Sequence, residues 1–317
     1  MRASSGAGAV RRRLDAERWH FQHGPIDCIV AAAGDERAVD AAIETAWARF
    51  ATLLAELVAE LPLLRADLSR DVVVAPRGAV ARRMVAACRP HGGNGRFITA
   101  MAAVAGSVAE ELLAAFDDPR IVRASINNGG DIALRLTPGT AYEIGVCADP
   151  IRGIAGLPLA GRFTITAASP VRGIATSGWR GRSFSLGIAD SVTVLAASAA
   201  TADAAATIVA NAVDVADARI VRVPASAVRD DSDLGDRLVV RAVPPLPLAL
   251  VEAALARGAA EARRQIGAGR IIAAVLSLQG RWRVVGDLGR DVAVDGAGDR
   301  SDPGTIPRRS EPLATAG

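Results

Sequence analysis

A series of short strand-like runs, separated by turn sequences, constrains the fold more than any other feature. The turns contain Asn128-Gly129-Gly130, Pro138-Gly139 and Ser177-Gly178, and these residue types favour tight reversals between antiparallel strands. A sheet built this way must bury at least one face, so other elements have to cover it. The runs that predict strands are 122–126, 132–136, 142–146, 163–166 and 191–196, with others at 23–33, 220–223, 271–278 and 282–285.

Segments with helical periodicity alternate with these runs. The stretch 37–61 repeats apolar residues at helical spacing and predicts a long amphipathic helix, which Pro62 should end or kink. The remaining predicted helices are 79–88, 99–116, 202–213 and 248–266. The alternation of helices with antiparallel strands indicates the α+β class, with strands and helices in layers.

Composition predicts one folded domain between two disordered ends. Half of the 317 residues are hydrophobic, which is enough to build a sizeable core. The segments 1–14 and 287–317 contain few large apolar residues, and we expect both to be disordered tails. The predicted folded domain is therefore 15–286.

Charge and cysteine usage exclude several classes of function. The net charge is +3 and no basic stripe follows one helix, so nucleic-acid binding is not expected. The chain contains no lysine, which excludes a Schiff-base lysine and a lysine-bearing phosphate loop. No stretch is apolar over the thickness of a bilayer, which predicts a cytoplasmic protein without membrane contact. Cys28, Cys88 and Cys147 show no paired metal or redox spacing.

A strand followed by a helix carries the first candidate site. Asp203 lies in the first turn of the predicted helix, and Thr207 follows one turn later on the same face. A carboxylate and a hydroxyl placed this way offer the hard oxygen ligands that magnesium prefers. The same aspartate would also stabilise the helix start through the helix dipole, so the residues alone leave both interpretations open.

Two glycine-containing turns are the other candidates. In Asn128-Gly129-Gly130-Asp131, backbone amides can approach a ligand closely and the aspartate can accept a hydrogen bond, although an ordinary Asn-Gly hairpin has the same pattern. In Thr176-Ser177-Gly178, hydroxyls end a strand-like run and can bind a phosphate or cap a turn. No histidine has a triad context, so a serine hydrolase is not expected.

The order of these motifs resembles that of the ApbE superfamily, the family of FAD:protein FMN transferases. Ala175-Thr176-Ser177-Gly178, the strand 191–196 and Ala202-Asp203-Ala204-Ala205-Ala206-Thr207 are similar to the family's Ala-Thr-Ser-Gly element, Val-Thr-Val strand and Ala-Asp-Ala-Leu-Ala-Thr helix. Upstream, Asn128-Gly129-Gly130-Asp131 is similar to the family's Gly-Gly-Asp/Glu turn, and Tyr142-Glu143-Ile144-Gly145-Val146 to its aromatic-x-Ile-Gly-Ile strand. The resemblance spans about residues 95 to 215.

This resemblance implies a duplicated, T-fold-like α+β architecture that cradles FAD. By position, Asp203 and Thr207 would bind magnesium near the diphosphate. Asn128-Gly129-Gly130-Asp131 and Thr176-Ser177-Gly178 would contact FAD, FMN or a related heteroaromatic nucleotide. Transferases of the family cleave FAD and attach FMN through its phosphate to a threonine or serine of an acceptor protein. The implied function is flavin binding with magnesium-dependent transfer or FAD cleavage.

Two elements of the transferase pattern are replaced in this sequence. The family's Lys-Gly-Tyr segment corresponds to Met101-Ala102-Ala103-Val104-Ala105-Gly106, and its His-x-Ile-Asp-Pro-x-Thr-Gly segment has no counterpart in 179–190. Met101 to Gly106, with Gly24-Pro25-Ile26-Asp27, resembles a cytoplasmic branch of the superfamily, uncharacterised protein family 0280. The alternative function is therefore a non-cleaving flavin- or pterin-binding accessory protein in cofactor or one-carbon (methanopterin-type) metabolism.

Other charged residues and a strand edge bear on the site. Arg180 and Arg182 follow the Thr-Ser-Gly motif and could either bind a phosphate or lie on the surface. An exposed strand edge would allow a homodimer. An acidic cluster further along either adds carboxylates to a metal site or forms a solvated loop; its members are Asp230, Asp231, Asp233 and Asp236.

Overall fold

The computed structural model describes residues 8–70, 74–147 and 159–288. The strands are β1 (Val10–Arg13), β2 (Arg18–His23), β3 (Ile26–Gly34), β4 (Ile121–Asn128), β5 (Asp131–Leu136), β6 (Ala141–Cys147), β7 (Leu159–Thr166), β8 (Gly173–Ser177), β9 (Ser191–Ala196), β10 (Val221–Pro224), β11 (Leu238–Ala242), β12 (Ala273–Leu278) and β13 (Arg281–Gly286). The helices are α1 (Glu36–Ala59), α2 (Leu61–Leu64), α3 (Ala79–Cys88), α4 (Val104–Leu113), α5 (Ala199–Ala212), α6 (Ala225–Val228) and α7 (Leu248–Gly267).

A single antiparallel sheet joins both halves of the described chain. Its nine strands lie in the order β1-β2-β3-β4-β5-β8-β9-β12-β13, so that β8 pairs with β5 of the N-terminal half and β9 of the C-terminal half. The hairpins β6-β7 and β10-β11 form separate two-stranded sheets. This mixture of helices and antiparallel sheet confirms the predicted α+β class.

Three hydrophobic clusters show how the layers pack. In the N-terminal half, α1, α3 and α4 pack on the sheet around Phe21, Phe50 and Leu112. In the C-terminal half, α5 and α7 cover the sheet around Val194 and Leu276. Alternate residues of the sheet strands point their side chains to the opposite face of the sheet and form the third cluster. The β6-β7 hairpin covers this face.

The helices with clear periodicity have nearly the predicted bounds. The helix predicted at 79–88 is α3, and the one predicted at 37–61 is α1, which begins after the N-cap residue Asp35 because its carboxylate accepts a hydrogen bond from the Ala38 amide at 3.0 Å. The predicted helix 99–116 is divided: a 3-10 turn covers Ala100–Ala103, and α4 begins only after Ala103, whose backbone (φ −130°, ψ 19°) leaves the helical region.

The N-terminal end differs from the predicted disordered segment 1–14. Residues 10–13 form β1, which pairs with β2 at the edge of the sheet. Side chains explain this pairing, because Arg11 bonds Glu44 at 2.7 Å and lies over the Trp47 ring, and Arg13 lies over the Trp19 ring. These cation–π contacts link the arginines to the aromatic core, which a compositional argument does not register.

Candidate functional site

The site is built where α4 and α5 touch. At Gly106, an added Cβ would lie 2.3 Å from the Ala199 carbonyl oxygen, so only glycine lets the two helices come this close. Gly106 is the third residue of α4 and Ala199 the first of α5, and the contact therefore brings both helix N-termini together. Amide groups at these ends have no partner within their own helix.

Each helix supplies a carboxylate that binds the other helix's free amides. Asp203 of α5 accepts a hydrogen bond from the Gly106 amide at 3.0 Å and also one from the Ala105 amide. In return, Glu110 of α4 accepts one from the Ala200 amide at 2.8 Å. The arrangement caps both helices reciprocally.

A second carboxylate reaches this crossing from the sheet. Asp131 begins β5, and its Oδ1 accepts a hydrogen bond from the Thr176 amide at 3.0 Å, where the β5-β8 ladder has ended. The Thr176 hydroxyl lies 2.9 Å from that of Thr193 on β9. The structure therefore brings together three predicted site residues, Asp131, Thr176 and Asp203, from β5, β8 and α5.

The two aspartates influence each other's ionisation. Burial raises the pKa of Asp203 well above its ordinary value, and the nearby Asp131 raises it further, against the hydrogen bonds from the α4 amides. Burial likewise raises the pKa of Asp131, although the Thr176 amide and the Arg182 charge oppose it. Both residues are nonetheless partly exposed.

The Asn-Gly-Gly turn next to Asp131 is held by its own side chains. Asn128 is buried, and its side chain donates to the Ala105 carbonyl at 3.2 Å, which ties the end of β4 to the start of α4. Asn127 accepts a hydrogen bond from the Gly130 amide at 2.8 Å. Gly129 has a positive φ of 66° and lies against the Arg182 guanidinium.

The remaining predicted site residues lie around this centre. Thr207 is partly exposed one turn after Asp203, and its hydroxyl makes no hydrogen bond to the described part of the chain. Ser177 is partly exposed at the end of β8, and the Gly178 carbonyl accepts a hydrogen bond from the Gly181 amide. No group of three or more His, Cys, Asp or Glu side chains within the described ranges is arranged to hold a metal. A metal here would rest on the two aspartates and hydroxyl or ligand oxygens.

The two candidate arginines have different surroundings. Arg180 donates to Asp190 at 2.8 Å and lies over the Trp179 ring. The buried Asp190 also accepts from the Trp179 ring nitrogen at 3.1 Å and from the Gln279 amide. Asp190 therefore holds the loop 179–189 against the β12-β13 turn, a role that sequence motifs did not indicate.

Two members of the acidic cluster bond to the N-terminal half, and a third bonds within the C-terminal half. Asp231 pairs with Arg65 at 3.1 Å, and Asp233 accepts a hydrogen bond from the hydroxyl of Thr99. Asp236 accepts one from Ser226 at 2.6 Å. These contacts explain three of its four aspartates without a metal.

Two of the three cysteines have unreactive surroundings. Cys28 and Cys88 are buried and free. Burial raises the pKa of both thiols, with smaller contributions from Asp27 and Asp203 respectively. Both behave as small apolar side chains, while the side chain of Cys147 lies outside those that the structure describes.

The geometry defines a protein whose helix crossing exposes a carboxylate pair beside a glycine turn. A family model described as AbpE bacteria matches residues 11–284, and the chain belongs to this family. The chain is 37% identical over 134 residues to a UPF0280 protein of Methanopyrus kandleri, and this match covers 42% of this chain and 48% of that protein. It is 33% identical over 198 residues to a UPF0280 protein of Methanosarcina acetivorans, and that match covers 62% of this chain and 72% of the relative. With M. kandleri and Methanococcoides burtonii, the match spans about half of the relative's length, 48% and 53%.

Solved structures with distant similarity are ApbE proteins. The chain is 16% identical to the ApbE protein of Thermotoga maritima, with a TM-score of 0.34, and the match covers 64% of this chain and 86% of that one. It is 14% identical to a point mutant of the flavin transferase ApbE of Vibrio cholerae, with a TM-score of 0.35, and the match covers 85% of this chain and 97% of that one.

No helix among the described residues combines the length and apolarity needed to span a bilayer.

Proposed function

We propose that this chain binds a flavin nucleotide, FAD or FMN, beside a magnesium ion held by Asp131 and Asp203, and that it transfers FMN from FAD to an acceptor protein. The observation that carries the proposal is the carboxylate pair at the α4-α5 crossing. Each carboxyl has a raised pKa, and only backbone amides hydrogen-bond the two among the described groups.

A divalent cation fits this donor set. Two carboxylates that disfavour each other's ionisation are stabilised together when a doubly charged ion lies between them. The Thr207 hydroxyl, one turn from Asp203, would add a hard oxygen, and phosphate oxygens or water would complete the shell. When bound, the ion would supply charge stabilisation to a diphosphate.

The residues of the chain would position the nucleotide around that ion. The Gly129-Gly130 turn would present backbone to the ligand, and the exposed Thr176 would contact it from the neighbouring strand. In the proposed reaction, an acceptor hydroxyl oxygen bonds to the FMN phosphorus, the diphosphate P–O bond breaks, AMP leaves and the hydroxyl proton is released. Cytoplasmic location and a homodimer through the open sheet edge stay predictions.

A second candidate function is binding without cleavage, in an accessory protein for flavin or pterin cofactor metabolism. It is favoured because no histidine side chain in the described part of the chain hydrogen-bonds either aspartate of the pair. The chain has no lysine, and His91 is buried beside Glu261 and Arg96. His20 bonds Asp27 at 2.8 Å instead. Only the aspartates themselves would then be able to accept the hydroxyl proton.

The first experiment measures flavin binding and turnover together. Purified protein would be titrated with FAD and FMN, with and without magnesium, by isothermal calorimetry, and AMP release would be followed by chromatography. We expect magnesium-dependent binding that Asp203→Asn weakens by at least tenfold, because the variant keeps the acceptor for the Gly106 amide but loses the charge.

Glu110→Gln is the matched control, because Glu110 caps the opposite helix in the same way but belongs to an ion pair with Arg83 at 3.2 Å. It should bind flavin as the unmodified protein does. Binding without AMP release would favour the accessory function. Absence of flavin binding both with and without magnesium would refute both flavin proposals.

A further inference from the structure

Arg182 lies over the glycine turn of the candidate site. A Cβ built at Gly129 would fall 1.7 Å from an Arg182 guanidinium nitrogen and 2.9 Å from its central carbon. Gly129 also has a positive φ of 66°, a conformation that residues with a side chain rarely adopt. A side chain at position 129 would therefore displace the guanidinium. Only a glycine at this position leaves space for it.

The Arg182 guanidinium has no hydrogen-bond or ion-pair partner among the described side chains. Arg182 is exposed, and it makes no hydrogen bond or ion pair with the part of the chain that the structure describes. Arg180, two residues earlier, is bonded to Asp190 and stacked on Trp179. The loop thus carries one arginine that fixes its conformation and a second whose donors face solvent.

The guanidinium of Arg182 lies near Asp131 without bonding to it. Asp131 follows the Gly129-Gly130 turn that the guanidinium covers, and its Oδ1 is occupied by the Thr176 amide. A cation held by the pair and the guanidinium would repel each other unless an anion lay between them. A phosphate group satisfies both, since it accepts paired hydrogen bonds from a guanidinium and offers oxygens to a metal.

We infer that Arg182 is the phosphate-binding residue of this site, where it holds a phosphate ester or diphosphate of the ligand against the cation on Asp131 and Asp203. The inference rests on the proposed function for the position of the cation. It extends that function by requiring the ligand to carry a phosphate within reach of the Gly129 turn. A ligand without phosphate would bind independently of Arg182.

The test compares ligands that differ only in phosphate. Arg182→Ala, Arg182→Lys and unmodified protein would be titrated with Mn²⁺ alone, and in the presence of Mn²⁺ with FMN, riboflavin and inorganic pyrophosphate. We expect Arg182→Ala to weaken FMN and pyrophosphate binding by roughly 10- to 100-fold, the effect of losing charge-assisted hydrogen bonds. Riboflavin binding should not change, and Arg182→Lys should retain part of the affinity for FMN.

The affinity for Mn²⁺ alone should not fall in Arg182→Ala, in contrast to the affinity for FMN and pyrophosphate. Removing a nearby positive charge should leave Mn²⁺ binding unchanged or tighten it by up to about threefold. A residue that merely supported the fold of the site would weaken all four ligands together. Arg37→Ala, at an exposed arginine of α1, is the control for lost charge.

Equal losses for FMN and riboflavin, unaltered FMN affinity, or weaker Mn²⁺ binding in Arg182→Ala would overturn the inference. The pyrophosphate titration separates it from the flavin proposal. If unmodified protein binds pyrophosphate through Arg182 but no flavin, the phosphate site stands and flavin is wrong. If FMN binds with Mn²⁺ regardless of Arg182, flavin binding stands and the inference fails.

Discussion

Among the acidic side chains of the C-terminal half that reach the N-terminal half, Asp203 and Glu261 have sharply different surroundings. Asp203 bonds the Gly106 amide. Glu261 on α7 pairs with Arg96 through two hydrogen bonds of 2.8 and 3.0 Å, and also accepts from Arg264 and Gln265. Both join the same two parts of the molecule, yet one carboxylate has guanidinium partners and the other has a second carboxylate nearby.

Their pKa values consequently move in opposite directions. Burial by itself would raise the pKa of Glu261, but hydrogen bonds from Arg96, Gln265 and Arg264 outweigh it and lower the value to about 2. Burial and Asp131 raise the pKa of Asp203. A carboxylate supplied with cations stabilises the fold, whereas one left with an acidic neighbour is suited to a cationic ligand.

The largest expected effect comes from removing each charge by an isosteric change. Glu261→Gln should lower the free energy of unfolding at pH 7.5 by about 3 kcal/mol, since its lowered pKa represents stabilisation of the ionised form. Asp203→Asn should keep that free energy or raise it by about 1 kcal/mol, because ionisation of Asp203 opposes folding at neutral pH. Urea denaturation of both variants measures the contrast.

Glu252→Gln is the control, because Glu252 pairs with Arg283 at a partly exposed position and should contribute less than about 1 kcal/mol. Equal destabilisation by Glu261→Gln and Asp203→Asn would show that both carboxylates are structural. In that case the distinction between the two junctions would be wrong.

A smaller effect should follow from separating the helices at the Asp203 junction. Gly106→Ala places a Cβ 2.3 Å from the Ala199 carbonyl, and it should cost about 2 kcal/mol of unfolding free energy. The displaced helix would also lose its bond to Asp203, so flavin and Mn²⁺ binding should fall with stability. Thermal denaturation and calorimetry measure the two effects.

Gly267→Ala tests whether glycine loss itself matters, because nothing lies within 4 Å of the Cβ built at this last residue of α7. It should leave stability unchanged or improve it slightly. A Gly106→Ala protein with unmodified binding would contradict the role given to the close helix contact.

The Glu261 junction also contains a buried histidine, which gives a pH test. His91 is 4% exposed and neither ring nitrogen has a hydrogen-bond partner, and burial together with Arg270 and Arg96 lowers its pKa to about 4, against the opposing Glu261. The unfolded chain takes up this proton near pH 6.5, so the stabilisation is complete above that pH and is lost as pH falls towards 4.

Between pH 7.5 and 5.5, His91 should cost about 1.5 kcal/mol of stability, and His91→Phe should remove this part of the pH dependence. Chemical denaturation across that range measures the slope. His23→Phe, at a partly exposed histidine, is the control and should preserve it. An unaltered slope in His91→Phe would mean that the ring is not buried as a neutral group.

Local pattern was sufficient for much of the fold. The bounds of α3 follow from apolar spacing alone, and α1 begins at Glu36, directly after its capping Asp35 and one residue before the predicted start. The strands β4, β5 and β9 lie where alternating or buried runs predicted them. By contrast, the edge strand β1 and its inner neighbour β2 were not predicted, because their pairing depends on contacts with α1 and β3.

The candidate site could be predicted only in parts. Asp131, Thr176 and Asp203 belong to motifs that sequence alone singled out, but the motifs did not show that Gly106 and Glu110 form the other side of the crossing. Gly106 and Asp203 are 97 residues apart, and no local periodicity reports such a contact. The sequence signal for this contact was the glycine at position 106, because a glycine within a helical segment allows a second helix to approach closely.

The sequence by itself determined the class of layers, most helix bounds and the candidate site residues. Tertiary structure decided which of those residues lie together. The insertion of β8 between β5 and β9 brings Thr176 to Asp131, and the α4-α5 contact brings Asp203 to the same place. The burial of a side chain and the charges around it depend on its neighbours in space. Only folding therefore distinguishes Asp203 from Glu261 and Arg182 from Arg180.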